Sequence, residues 1–141
     1  MSRRRPRSKL RSGYEDKIAK NLRDKGVSFK YEAKSYDVWV DVPSRNVRCN
    51  KCGGGKFQQK KTYTPDFFLD NGVIIEAKGR LTVDNRRKYK AFLEQHGSLN
   101  FKMMFQRNNP IARGSKTKYS DWCKANGIEF SVGVEVPDEW Y

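Results

Sequence analysis

Three charged side chains interrupt two runs that otherwise read as sheet. Asp66 follows Pro65 in the run Tyr63–Leu69, and Glu76 and Lys78 lie in Val73–Gly79, beyond an Asp70-Asn71-Gly72 turn. Apolar, β-branched and aromatic residues on both sides of Asn-Gly are a strong hairpin signal. Strand side chains alternate faces, so Glu76 and Lys78 share one with Ile74. Asp66, near the start of the first strand, can face them across the hairpin. Two carboxylates and an ammonium converging at a sheet edge make a site for a hard cation with a charge stabiliser beside it.

Phosphodiester hydrolysis needs water in line with the leaving oxygen and positive charge where the phosphoryl oxygens grow more negative. Carboxylate-bound Mg²⁺ supplies both and keeps several of its own waters, so two or three carboxylates suffice. Asp66 and Glu76 are the expected ligands, with the Ala77 backbone carbonyl as a further donor and Mn²⁺ as a substitute ion. Lys78 suits charge neutralisation at phosphate better than water deprotonation, because neighbouring carboxylates favour its ammonium. Pro65-Asp66, nine intervening residues and Glu76-Ala77-Lys78 match the PD-(D/E)xK nuclease signature. The signature is loose, and its weight comes from both halves lying on one hairpin of a basic protein. The bland alternative is a surface hairpin with solvent-facing charges. The apolar second strand argues against it, since charges on a mostly buried strand persist when they hold metals or pair with each other.

The flanking elements follow from periodicity. Ser12-Gly-Tyr-Glu15 matches a capping box, Tyr14, Ile18 and Leu22 make an apolar helical stripe, and Gly26 ends the helix. Glu15 thus has a complete structural explanation as a capping residue. Val27–Tyr31 and Tyr36–Val42 alternate as strands, with Glu32, Asp37 and Asp41 on solvent faces and Pro43 as a stop. A helix over about residues 83–96, a strand Phe101–Phe105, a basic loop 106–118, a short helix from Tyr119 and a strand Ile128–Val132 complete the chain. His96 reads as a helix-terminal residue and Cys123 as a small buried hydrophobe.

The chain has 141 residues, enough for one domain, here 12–141 behind a basic arm at 1–11. Its 30 Lys and Arg against 16 Asp and Glu give a formal charge of +14, which favours a polyanionic partner, most simply nucleic acid. No apolar run approaches the roughly 20 residues that span a bilayer, and no basic amphipathic helix supports membrane binding. The N-terminus lacks the apolar core of a secretory signal. Three cysteines, an odd number, argue against a disulfide framework and for the cytoplasm. Arg3, Arg4, Arg5, Arg7, Lys9 and Arg11 of the arm are expected to contact DNA phosphates, together with Lys60, Lys61, Arg80, Arg86 and Arg87.

Residues 44–61 carry six basic residues, no acid and three consecutive glycines, and read as a loop or long hairpin tip. Cys49-Asn-Lys-Cys52 has the spacing of half a structural zinc site. The other half is missing from one chain. Two chains pairing these loops about a two-fold axis would supply four cysteines and hold Zn²⁺. The alternative is a basic loop with two free thiols.

Ser12-Gly-Tyr-Glu-Asp-Lys17, Tyr63-Thr-Pro-Asp-Phe-Phe-Leu69, Asn71-Gly72 and Glu76-Ala-Lys-Gly79 together resemble the phage endonuclease I family of Holliday-junction resolvases. Tyr119-Ser-Asp-Trp-Cys-Lys-Ala-Asn-Gly-Ile-Glu-Phe130 and Pro137-Asp-Glu-Trp140 extend the likeness over nearly the whole chain. The resemblance implies an α/β fold with a restriction-endonuclease-like core, a mixed sheet flanked by helices, in a domain-swapped homodimer. It implies Mg²⁺-dependent, paired symmetric nicking of four-way and branched double-stranded DNA, with host cytoplasm as the location if phage-encoded. It places the catalytic set on Glu15, Asp66, Glu76 and Lys78, with Glu15 completing the partner's site and joining the metal ligands. The Cys-Asn-Lys-Cys-Gly-Gly-Gly insertion departs from the family's short bridge between exchanged halves. The rival reading is a non-catalytic basic nucleic-acid-binding protein with a zinc-ribbon-like loop.

Overall fold

The computed structural model describes residues 13–42 and 57–141. The six basic arm residues, Ser12 of the capping box, and Cys49 and Cys52 lie outside the described residues.

Helix α1 (Gly13–Asp24) buries Tyr14, Ile18, Ala19 and Leu22, the stripe expected from four-residue spacing. Gly26 ends it at φ 71°, with Val27 N–H bonded back to the Leu22 carbonyl at 2.9 Å. Strands β1 (Phe29–Tyr31), β2 (Tyr36–Val42), β3 (Phe57–Tyr63), β4 (Phe67–Leu69) and β5 (Val73–Lys78) follow. Then come α2 (Val83–Gln95), β6 (Asn100–Phe105), α3 (Tyr119–Ala125), β7 (Glu129–Val132) and a 3₁₀ turn at Asp138–Trp140.

The main sheet is five-stranded and mixed, in the order β1-β4-β5-β6-β7. β1, β4 and β5 run antiparallel, whereas β5, β6 and β7 run parallel through the crossovers that contain α2 and α3. The fold is therefore α/β with helices on both faces of the sheet. Because strand residues alternate, β5 feeds two cores. Val73, Ile75 and Ala77 pack with α1 and the C-terminal Val136 and Trp140. Ile74 packs on the opposite side with Tyr63, Tyr89, Phe92 and Phe101. The C-terminal tail clamps the first layer: Asn21 accepts from Val136 N–H, and Asn71 donates to the Trp140 carbonyl, both at 2.9 Å.

The β4–β5 hairpin pairs Phe67 with Ile75 and Phe68 with Ile74. Its turn is the three-residue kind rather than a two-residue Asn-Gly turn. Gly72 N–H reaches the Leu69 carbonyl at 3.0 Å, and Gly72 alone takes a left-handed φ, 93°.

Two expectations need correction. Residues 57–61 are strand, not loop: β3 pairs with β2 residue by residue, from Tyr36 with Tyr63 to Val42 with Phe57. Residues 58–62 are exposed, so this ribbon is set by its partner strand and carries no hydrophobic alternation to read. Second, Tyr63–Leu69 is not one strand. Pro65 has no N–H to give to a ladder, so β3 ends at Tyr63 and β4 begins at Phe67. Asp66 therefore sits in the break between two sheets.

Candidate active site

Glu76 lies on β5, with Ile74 on its strand face and only 3 % of its surface exposed. Its oxygens are surrounded by donors. Oε2 accepts from the Tyr63 hydroxyl at 2.7 Å and from Asp66 N–H at 3.3 Å. Oε1 accepts from the Tyr89 hydroxyl at 3.0 Å and lies 3.6 Å from the Lys78 ammonium. Burial raises the Glu76 pKa, while Lys78, Tyr63 and Tyr89 pull it back by favouring the carboxylate. Burial holds both tyrosine hydroxyls well above their ordinary pKa, so they remain donors.

Asp66 is also buried, at 6 % exposure. Its Oδ2 accepts from Ala77 N–H at 2.9 Å, and its carbonyl accepts from Glu32 N–H at 2.8 Å. Glu32 makes that bond from a left-handed backbone, φ 49°, and is half-buried rather than solvent-facing as its position in the sequence suggests. Burial and then the charge of Glu76 push the Asp66 carboxyl up to about 8. Glu15 adds to this from α1, so the same chain brings a third carboxylate towards the pair. Glu15 itself is buried and accepts from the Tyr31 hydroxyl at 2.6 Å.

Among the described residues, no three Asp, Glu, His or Cys side chains gather tightly enough to enclose a metal unaided. The donor set nevertheless fits a hard divalent cation. Two adjacent buried carboxylates, one of them with its pKa pushed up to about 8, have in Lys78 less positive charge than would let both ionise readily. Asp66 and Glu76 are the residues that would hold such an ion. The Ala77 N–H is engaged in orienting Asp66.

Lys60 and Lys61 are exposed on β3, opposite Trp39 and Val38. Arg80 and Arg87 are exposed and Arg86 is half-buried. Arg80 lines a groove of about 590 Å³ with Val83 and Arg113, and Arg87 lines another of about 470 Å³ with Trp39 and Lys90. His96 caps α2 and bonds the Asp37 carbonyl at 3.0 Å, and Cys123 is fully buried, its thiol pushed up to about 12 by burial.

Two residues at the site carry no sequence signal for it, Tyr63 and Tyr89, and a third, Lys88, carries only a general one. Tyr63 and Tyr89 read as core aromatics, and they are, but their hydroxyls end on Glu76. Lys88 reads, with Arg86, Arg87 and Lys90, as part of a basic face of α2 that is either solvated or grips phosphate. Its Nζ stands 4.8 Å from the Tyr63 ring centre and 5.1 Å from that of Tyr89. Burial, followed by the charge of Lys78, lowers its pKa, while Glu76 acts in the opposite sense.

Tyr63→Phe is expected to cost about 1–3 kcal/mol in urea unfolding of the metal-free protein, because a buried carboxylate loses a donor. The cost should be greater where Glu76 is ionised than in acid, where it holds its proton.

No helix among the described residues is long and apolar enough to cross a membrane. The family model described as phage endonuclease I matches residues 53–141. The chain is 36% identical over 132 residues to "Endonuclease I" of Escherichia phage T7, covering 93% of this chain and 77% of that protein. It is 35% identical over 135 residues to "Endodeoxyribonuclease 1" of Enterobacteria phage T3, covering 91% and 78%. With a matched region that takes in Asp66, Glu76, Lys78 and both tyrosines that hold Glu76, the chain belongs to the phage endonuclease I family.

Proposed function

We propose that this chain is a Mg²⁺-dependent endodeoxyribonuclease that resolves four-way and branched DNA by paired nicks, working as a homodimer. The observation that carries this reading is the buried Asp66–Glu76 pair, with Lys78 3.6 Å from Glu76 at its open side. Membership of a family whose named members are an endonuclease and an endodeoxyribonuclease supports the same chemistry. A restriction-endonuclease-like core is consistent with the mixed sheet and its flanking helices.

A divalent ion bound by these carboxylates supplies charge stabilisation at the phosphoryl oxygens and a more acidic water. The protein's own part is positioning. Ala77 N–H fixes the Asp66 carboxylate, while Tyr63 and Tyr89 fix that of Glu76. Lys78 places a cation where negative charge accumulates on the phosphate. Lys60, Lys61, Arg80, Arg86 and Arg87 hold the DNA backbone, so affinity falls steeply with salt.

Two symmetric cuts need two sites related by a two-fold axis. Residues 13–42 reach the rest of the chain only through residues 43–56. Exchange of the first segment between two copies would carry Glu15 into the other copy's site while keeping the packing around α1. Chemical crosslinking of the full chain tests the dimer.

The substrate is tested with a synthetic four-way junction and a linear duplex of the same sequence, with and without Mg²⁺. Paired nicks in the junction alone, and only with Mg²⁺, are expected. Junction binding with no cleavage under any divalent ion would favour the non-catalytic binder.

A further inference from the structure

We propose that Lys88 is a second substrate-binding lysine of this site, its ammonium contacting a non-bridging oxygen of the phosphate at the cut. The inference rests on the nuclease reading above and names a residue to which that reading assigns no part.

Lys88 comes from α2, not from the hairpin that carries Asp66, Glu76 and Lys78. It is half-buried and stands over the rings of Tyr63 and Tyr89, the two residues whose hydroxyls hold Glu76. The same two rings therefore fix a carboxylate at their polar ends and a cation over their faces. Cation–π contact orients an ammonium but leaves its three N–H donors to find oxygen. Lys78 is within ion-pair distance of Glu76. Lys88 has no such carboxylate among the described residues. Glu76, Asp66, Lys78 and Lys61 nonetheless all act on its charge.

Partly desolvating an ammonium that has no carboxylate within ion-pair distance is unfavourable, and a phosphate arriving at the carboxylate pair would supply a direct partner. The competing explanation is packing: an alkyl stem lying along two aromatic rings, with its head reaching water. Lys88→Met separates the two, because methionine keeps the stem and removes the cation.

The test uses the full-length wild type, Lys88→Met and Lys88→Arg. Three quantities are read: the melting temperature, the salt dependence of junction binding without metal, and single-turnover cleavage with Mg²⁺. Lys88→Met should melt no lower than wild type. Its slope of log affinity against log salt should be shallower by about one, the effect of one lost phosphate contact. Its cleavage should be roughly 100-fold slower, as for removal of one charge-stabilising donor. Lys88→Arg should restore the slope and at least a tenth of the rate. A wild-type slope together with a rate within about threefold of wild type would overturn the proposal. So would a lowered melting temperature with no rescue by arginine, which would make Lys88 a packing residue. The salt measurement needs no cleavage. If the wild type binds junctions without cutting them, the nuclease reading fails, and the slope still decides whether Lys88 meets a phosphate.

Discussion

Asp66→Asn is expected to stabilise the metal-free protein and to abolish its cleavage. The Asp66 carboxyl is pushed up to about 8 by burial and by Glu76. In the unfolded chain it returns to about 4. Below about pH 4 both states hold the proton, and there is no differential effect. Between about 4 and 8 the folded state keeps a proton that the unfolded state has lost, so stability falls as pH rises. Above about 8 both are ionised and the loss is complete. Asparagine cannot ionise and escapes this loss. Its amide oxygen can still accept from Ala77 N–H, and its NH₂ can donate to Glu76. The variant should therefore gain on wild type steadily from pH 4 to 8, reaching on the order of 5–10 °C in melting temperature. Cleavage should fall by roughly 1,000-fold or more, since one of the two buried carboxylates proposed to hold the cation is gone. Scanning calorimetry across pH and single-turnover cleavage measure the two effects. A site that is unfavourable for the empty fold and favourable once a cation arrives predicts this opposition.

The second large effect is at Lys78. Lys78→Met should reduce cleavage by roughly 1,000-fold while leaving metal-free junction affinity within a few-fold of wild type. Its ammonium is 3.6 Å from Glu76, and about a quarter of the side chain is exposed at the mouth of the site. On the proposed mechanism it would meet the one phosphate being cut there, whereas overall affinity would be spread over many basic contacts. Gel-shift titration beside single-turnover kinetics distinguishes the two. Loss of binding in step with cleavage would contradict the role assigned to Lys78.

Much of the candidate site's geometry was legible because it is local. The β4–β5 hairpin joins Asp66 to Glu76 and Lys78 across ten residues, and strand alternation alone puts Glu76 and Lys78 on one face. The stripe Tyr14–Ile18–Leu22 likewise announces α1. What was not legible is created by non-local packing. β3 is strand because β2 pairs with it along its length, although Gln58, Gln59, Lys60 and Lys61 have neither β-branching nor alternation. Tyr63 and Tyr89 differ from other core aromatics only in where their hydroxyls end, which depends on how α2 crosses the sheet. Lys88 is one basic residue among several until that crossing sets it over both rings. Glu15 shows the opposite difficulty: a capping role suffices to explain it in the sequence, while the fold also turns it towards Asp66.

Asp66 and Glu76 are proposed to form one divalent-cation site. Calorimetric titration of the DNA-free protein with Mn²⁺ at pH 8.5 and pH 6.5 tests it most directly, with Asp66→Asn and Glu76→Gln alongside. The wild type should bind Mn²⁺ saturably, more weakly at pH 6.5, where a proton must leave Asp66, and both variants should lose that binding. Variants that bind Mn²⁺ as tightly as the wild type, with no dependence on pH, would contradict it.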